Sequence, residues 1–330
     1  MPSFIRNTSG GKAISGGALA PRSRRGGTAQ VNSYWAGSEA INPPLTLEYL
    51  VIAGGGGGGL ATGGVINYGG GGAGGYRTNK SGQTSGANSS AEASFNTPVG
   101  NFTITVGAGG AQGSSGNDSV MSTITSTAGG RGAGESGTSA AVGGSGGGIN
   151  GIASFTPASA NGAAGTANQG RAGGNTSATD TVGYISGAGG GGGASGVGGN
   201  GISAGGGGAG GAGLSNDITG SSVTRGGGGG GGAGYAAGGT GGSGGGGNGS
   251  TSGAAATSGT DNTGGGGGGE GRNNASTTSG SGGSGVVILA YSSAFSQIPN
   301  ISGGLTYTYS SARTGFHVYT FTAGTGTVSF

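Results

Sequence analysis

Glycine fills 99 of the 330 positions and is gathered into runs, Gly54 to Gly59, Gly189 to Gly193, Gly226 to Gly232 and Gly264 to Gly269, set between short polar or strand-like segments. It brings no side chain to a core and loses more backbone freedom on ordering than any other residue. Such runs are therefore either solvated linker or backbone lying directly on backbone. The choice between them decides what kind of protein this is.

With 30% hydrophobic and 6% aromatic residues, the chain falls well below the apolar share of ordinary globular proteins and has no large side-chain core to build. Charged residues are also only 6%, whereas disordered chains usually join low hydrophobicity to high net charge. The combination points away from a floppy chain. Cysteine is absent, which rules out disulfides, thiolate metal sites and a cysteine nucleophile. Met1 to Ala20 lacks the continuous apolar stretch of a signal peptide, and the run Val286 to Tyr291 is far short of a membrane span, so no membrane insertion is expected.

The net charge of +3 is unevenly placed: residues 1–30 carry Arg6, Lys12, Arg22, Arg24 and Arg25 and no acid, leaving the other 300 residues at −2. Residues 1–46 read as a basic, Gly/Ser-containing arm for anchoring, ending at Pro43-Pro44. Arg22, Arg24, Arg25, Tyr34 and Trp35 are its candidate partner-anchoring residues. The arginine cluster suits an acidic protein surface, with a solvated arm as the plainer reading. Nucleic acid is not expected, because no aromatic interleaving or binding fold accompanies the cluster. Trp35 is either a local staple or an interface anchor.

From Leu47 the pattern turns to strands. Leu47 to Ala53 and its twin Val286 to Tyr291 are apolar on both faces, as strands covered on two sides should be. Phe102, Ile104 and Val106 alternate with Thr103 and Thr105, and Ser119 to Thr127 reads as a further strand. Residues 292–330 form a C-terminal β segment, with strands at Leu305 to Tyr309, Phe316 to Thr322 and Thr327 to Phe330 separated by a turn at Ala323-Gly324-Thr325-Gly326. No segment has helical periodicity, and glycine weakens any that tries.

Within the glycine body, roughly 129–285, every third position from 194 gives Ala194, Val197, Asn200, Ser203, Gly206, Ala209 and Ala212, while the other two phases are nearly bare. A period of three is that of the extended left-handed helix of polyproline type, which makes no internal hydrogen bonds. Glycine keeps its N–H, so such helices can bond sideways, and every buried N–H and C=O needs a partner. The expected fold is all-β with polyglycine type II helices: small β core strands flanking a packed bundle of polyglycine helices, and essentially no α-helix. Collagen is excluded by continuous glycine runs and only seven prolines.

Chemistry-bearing motifs are lacking. No glycine run has the Lys-Ser/Thr or the strand, helix and downstream acid of a phosphate loop, so no cofactor is expected. His317 reads as a strand-face residue, and Glu48, Glu92 and the dispersed carboxylates form no acid–base pair. Gly116 to Val120 partly matches one calcium-binding nonapeptide turn, but a lone copy reads as an Asx turn, as do Asn216-Asp217 and Asp261-Asn262. Neither a metal site nor an enzyme is expected.

Leu47 to Ala53 running into Gly54 to Gly59, Gly69 to Gly75 with Tyr76, Phe102 to Val106 running into Gly107 to Gly110, and Gly282 to Gly285 running into Val286 to Tyr291 together resemble the glycine-rich domain of bacteriophage tail fibres and related virion appendages. The likeness covers residues 47–291. The basic arm lies outside it, and the Phe316 to Phe330 strands, similar to the piece usually preceding such a domain, here follow it. The resemblance implies a virion protein assembled in the host cytoplasm, a tail-fibre or fibre-tip adhesin for host attachment, with a capsid-attached fibre or decoration protein as the alternative and an ice-binding or matrix protein as a more distant one. It implies other virion proteins as partners of the arm, a protein or glycan receptor on the host cell, and a possible homo-oligomer. Loops Leu60 to Tyr68, Ile149 to Ile185, Leu214 to Arg225 and Ser250 to Thr263 would be free to vary. Tyr68, Tyr184 and Tyr235 are the candidate receptor contacts, with covering the ends of the glycine segments as their plainer role.

Overall fold

The computed structural model describes residues 45–60, 66–96, 101–135, 139–151, 161–176, 186–202, 205–272 and 278–330. Met1–Leu45 is a unit apart from Thr46–Phe330, and the fold described is that of the second unit. It is all-β. A single 3-10 turn at Gly86–Asn88 is the only helical element among the described residues.

The strands are β1 (Thr46–Ile52), β2 (Tyr76–Thr78), β3 (Thr84–Ser85), β4 (Ser89–Ser90), β5 (Phe95–Asn96), β6 (Asn101–Thr105), β7 (Ser119–Met121), β8 (Ile124–Ser126), β9 (Leu214–Asn216), β10 (Val223–Arg225), β11 (Val286–Ser292), β12 (Asn300–Ile301), β13 (Leu305–Ser310) and β14 (Phe316–Ser329). The main sheet is antiparallel and runs β2-β1-β11-β14-β6-β7-β8, with β5 on β1 and both β12 and β13 on β14. Leu305 opposite Gly324 and Asn300 opposite Ser329 keep one offset. Hence β12 and β13 line one edge of β14, and β11 followed by β6 line the other.

The twin apolar strands sit at the centre, as their two-faced patterning demands. One face carries Leu50, Ile52, Val286, Ile288, Ala290 and Val318, packed with Tyr76, Ala194 and Ile218. The opposite face carries Leu47, Tyr49, Val51, Leu289, Tyr291, Tyr319 and Phe321, all buried. An aromatic chain fills that side: Tyr49 meets Phe95 edge-on at 6.3 Å, Phe102 stacks on Phe330 at 5.8 Å, and Tyr291 stacks on Tyr319 at 6.2 Å. The sheet curls until nearly closed, like a barrel. The Ser119 hydroxyl donates to the Ile52 carbonyl at 2.8 Å, and that of Ser126 to Gly75 at 2.5 Å, drawing the β7–β8 hairpin to the ends of β1 and β2.

Several strand boundaries differ from those read in the sequence. Ser119 to Thr127 is a hairpin, because Ser122 takes a positive φ of 54° and turns the chain. Residues 316–329 form one strand, with no turn at Ala323 to Gly326; Gly324, at φ 93°, bends it where its partners change from β11 to β6. Glycine is needed there, since a Cβ would lie 3.0 Å from the Gly304 carbonyl carbon. Leu214 to Arg225 is the β9–β10 hairpin rather than a free loop, pinned by wholly buried Ile218.

The glycine segments follow a rule of three. From Gly54 to Gly59, successive N–H groups donate to Asn117, Gly283, Gly72, Ser114, Gly280 and Gly69. Each third residue returns to the same neighbouring segment. The carbonyls of Gly54 and Gly57 accept from Gly129 and Gly132, those of Gly55 and Gly58 from Gly110 and Gly113, and that of Gly56 from Gly267. One run is thus bonded to segments on every side at 2.8–3.0 Å. Gly69 to Gly75 repeats the pattern, donating to Ala133, Gly130 and Thr127 in one phase, Gly189 and Gly192 in the next, and Gly267 and Gly264 in the third.

This approach leaves no room for a side chain. A Cβ added at Gly54, Gly55, Gly56, Gly57, Gly58 or Gly59 would sit 2.5–2.8 Å from the carbonyl carbon of Ala108, Gly265, Gly130, Ala111, Gly268 or Ala133, again a three-residue repeat. The network also takes in segments 54–59, 69–75 and 107–117, outside the 129–285 body read from composition. Where one face of a segment meets solvent, side chains return: Val197, Asn200, Ala209 and Ala212 are exposed while Gly198, Gly201, Gly208 and Gly211 are buried.

Candidate binding surface

Glycine segments leave the strands directly: β1 runs into Gly54, β6 leads to Gly107, and Gly285 runs into β11. All these segments have one end at the sheet and another distal to it. Away from the strands these segments bond to one another, Gly59 to Gly69, Gly69 to Ala133 and Ala133 to Gly148. Leu60, Ile66, Glu135, Gly151, Thr176, Ser186, Ile202, Gly205 and Arg272 flank the stretches 61–65, 136–138, 152–160, 177–185, 203–204 and 273–277, which lie outside the described residues.

Asparagines tie these stems together, because an amide side chain both donates and accepts and can replace a missing neighbour in the network. Asn67, fully buried, gives Nδ2 to the Ser186 carbonyl at 2.9 Å, takes the Arg272 N–H on Oδ1 at 2.8 Å, and takes the Gly151 N–H on its own carbonyl at 2.8 Å. Asn150 reaches the Gly134 carbonyl, Asn175 caps the Gly162 N–H, and Asn200 caps that of Asn175. Nothing periodic marks Asn67 in the sequence; its only signal is an amide two residues before the Gly69 run.

The candidate contact residues separate here. Tyr235 lies at the distal end, 59% exposed, with the Arg272 guanidinium 5.6 Å from its ring centre and donating to its hydroxyl. Leu60 and Ile202, each bordering an undescribed stretch, are also exposed. Tyr68 is only 1% exposed, enclosed where the Gly69 segment begins, and so presents no surface. Tyr184 and the arm residues Arg22, Arg24, Arg25, Tyr34 and Trp35 lie outside the described residues. Of the other variable loops, 161–174 crosses the network and bonds to Gly147, Gly190 and Gly193, and Thr257 to Thr260 bonds to Asn248, Gly245 and Ser281.

The titratable groups elsewhere are held by structural partners. Glu92 receives Arg77 through two bonds of 2.7 Å and the Tyr49 hydroxyl at 2.7 Å. Burial, and then this carboxylate, push the Tyr49 phenol well above its ordinary value; burial does the same to Tyr76 and Tyr291. Glu48 is bound by Arg313, and Asp217 is lowered chiefly by its bond with Lys80 at 2.9 Å. His317 lies in β14, with Nε2 against the Phe295 carbonyl at 3.1 Å and Nδ1 against the Tyr309 hydroxyl at 2.9 Å. A carbonyl can only accept, so Nε2 carries a proton, and in the neutral ring Nδ1 accepts from Tyr309. Asn216 caps Ile218 in an Asx turn, whereas the Asp118 carboxylate takes the Ala128 N–H, ten residues on, at 2.7 Å and closes no turn of its own. Asp261 likewise reaches Ser284, across to the next segment rather than its own turn. A shallow groove of about 500 Å³ beside Arg77 and Glu92 is lined by Ser89, Ser90, Asn168 and Gln169. Among the described residues no three His, Asp or Glu side chains converge on a possible metal position.

No curated protein matches the chain. Residues 36–292 match the family described as glycine-rich domain, a span that contains every glycine segment described above and the strands β1 to β11. The chain belongs to the glycine-rich domain family.

Proposed function

We propose that this is a structural and adhesive virion protein, a tail-fibre or fibre-tip component in which a stiff glycine scaffold presents variable connections to a host-cell receptor. The glycine segments are read as polyglycine type II helices, each rising about 3.1 Å per residue. The carrying observation is the backbone network with its three-residue repeat, from which stiffness follows without a side-chain interior. A support held by main-chain bonds is indifferent to the sequence of its distal connections. Those connections, with exposed Tyr235 among them, are the surface assigned to the receptor, protein or glycan. Tyrosine suits it by offering a large amphipathic area at low entropic cost. The basic arm, residues 1–46, is assigned to anchoring on other virion proteins.

Purified full-length protein added in excess should block adsorption of particles to host cells. Undiminished adsorption at saturating protein refutes the adhesive reading. Particles assembled with a chain lacking residues 1–46 should not contain it; retention would refute anchoring by the arm. Antibody labelling of intact particles separates a tail position from capsid decoration.

A further inference from the structure

Among the described strands, β13 is the longest that pairs on one edge only. It bonds to β14 from Leu305 to Ser310, and its other edge has no partner among the described residues. Edge strands are usually protected by charge, proline, bulging away or cover, since their free N–H and C=O groups recruit any extended chain. The sequence Leu305-Thr306-Tyr307-Thr308-Tyr309-Ser310 has no charge and no proline. Its one irregularity, between Thr306 and Tyr307, lies on the side of β14.

Tyr307 and Tyr309 are 43% and 39% exposed, whereas the residues that continue their face inward, Tyr319 and Phe321, are buried. Tyr307 lies 5.7 Å from Phe321 and Tyr309 lies 5.2 Å from Tyr319, ring centre to ring centre. The aromatic interior of the sheet therefore runs out to the free edge and stops uncovered. Tyr309 is held in place by its bond to His317, so its ring is already positioned for a neighbour.

We propose that β13 pairs antiparallel with β13 of a second copy of this chain about a two-fold axis at Thr308. The alternation selects this occupant. An axis at Thr308 sets Thr308 against its counterpart, Tyr307 against the partner's Tyr309, and Tyr309 against the partner's Tyr307. Both aromatic pairs fall on one face, the kind of cross-strand pairing that favours antiparallel association. The same surface meets itself, as a two-fold interface requires, and no like charges are brought together, because the nearby cation Arg313 is already bound to Glu48.

Sedimentation velocity on the full chain tests it. The wild-type protein is expected to pass from monomer to dimer as concentration rises. The doubly substituted chains Y307K/Y309K and Y307E/Y309E should each sediment as monomers at concentrations where the wild type is dimeric, with unchanged thermal midpoints showing that they are folded. Mixed in equal amounts, the two variants should restore the dimer by pairing Lys with Glu. A wild-type chain that stays monomeric at all concentrations overturns the proposal. So does a dimer indifferent to both variants, or a monomeric chain whose tyrosine edge binds an oligosaccharide instead.

Discussion

Gly57→Ala adds one methyl group in the middle of a glycine run, and its cost follows from the distances. The new Cβ would lie 2.7 Å from the Ala111 carbonyl carbon and 3.1 Å from the Gln112 nitrogen, against an ordinary carbon contact of about 3.5–4.0 Å. The neighbouring segment has to retreat by about 1 Å, and overpacking of this kind costs roughly 1–3 kcal/mol. Retreat also strains the bonds from Gly57 N–H to Ser114 and from Gly132 N–H to Gly57, both near 3.0 Å, the second between buried residues. A buried amide group left without its partner costs about 1–3 kcal/mol. The sum is about 2–6 kcal/mol, a large part of a typical stability of about 5–15 kcal/mol. At about 2–3 °C per kcal/mol for a unit of this size, the unfolding midpoint should fall by about 4–18 °C. Gly303→Ala is the control, since nothing lies within 4 Å of its added Cβ, and it should leave the midpoint within about 1–2 °C. Calorimetry or circular dichroism of the two variants decides. Equal midpoints would refute direct backbone packing in the run.

Other expectations follow from the same contacts. Asn67→Ala takes the acceptor from the Arg272 N–H and the Nδ2 donor from the Ser186 carbonyl, so it should cost about 1–3 kcal/mol and speed amide exchange at the distal stems while the sheet stays protected. Val197→Lys falls on the exposed phase of its segment and should change stability by no more than about 0.5 kcal/mol in denaturant titration. Tyr49, Tyr76 and Tyr291 have folded values raised by burial, so their contribution is complete below the unfolded value near 10 and is lost as pH rises above it. The unfolding midpoint should therefore drop above about pH 10, with tyrosinate absorbance from these three arriving only as the protein unfolds.

The twin strands β1 and β11 were legible because each is apolar on both faces, a pattern that only a strand covered on two sides explains. The three-residue period was legible at 194–212 because solvent meets one phase there and leaves it free to carry Val197, Asn200 and Ala209. Where the network surrounds a run, as at Gly54 to Gly59, all three phases are glycine, so no pattern tells one neighbour from the next. The continuity of β14 was hidden because Gly324 looks like a turn residue and in fact serves a bend between two partners. Leu214 to Arg225 was hidden by its polar residues, although Ile218 with Leu214 anchors it to the core. At the candidate surface, exposure separates Tyr235 from Tyr68, and exposure has no trace in residue type. Asn67 acts through three segments far apart in the chain, which no local reading joins.

Backbone amide exchange of the intact protein, read for the glycine runs 54–59, 69–75, 226–232 and 264–269, tests the main-chain network most directly. Protection of these amides to the level of β1 and β11 is the predicted result, since each but Gly265, whose N–H goes to the Thr263 hydroxyl, donates to a carbonyl of another segment. Exchange at the rate of an unstructured chain, with the strands still protected, would contradict it.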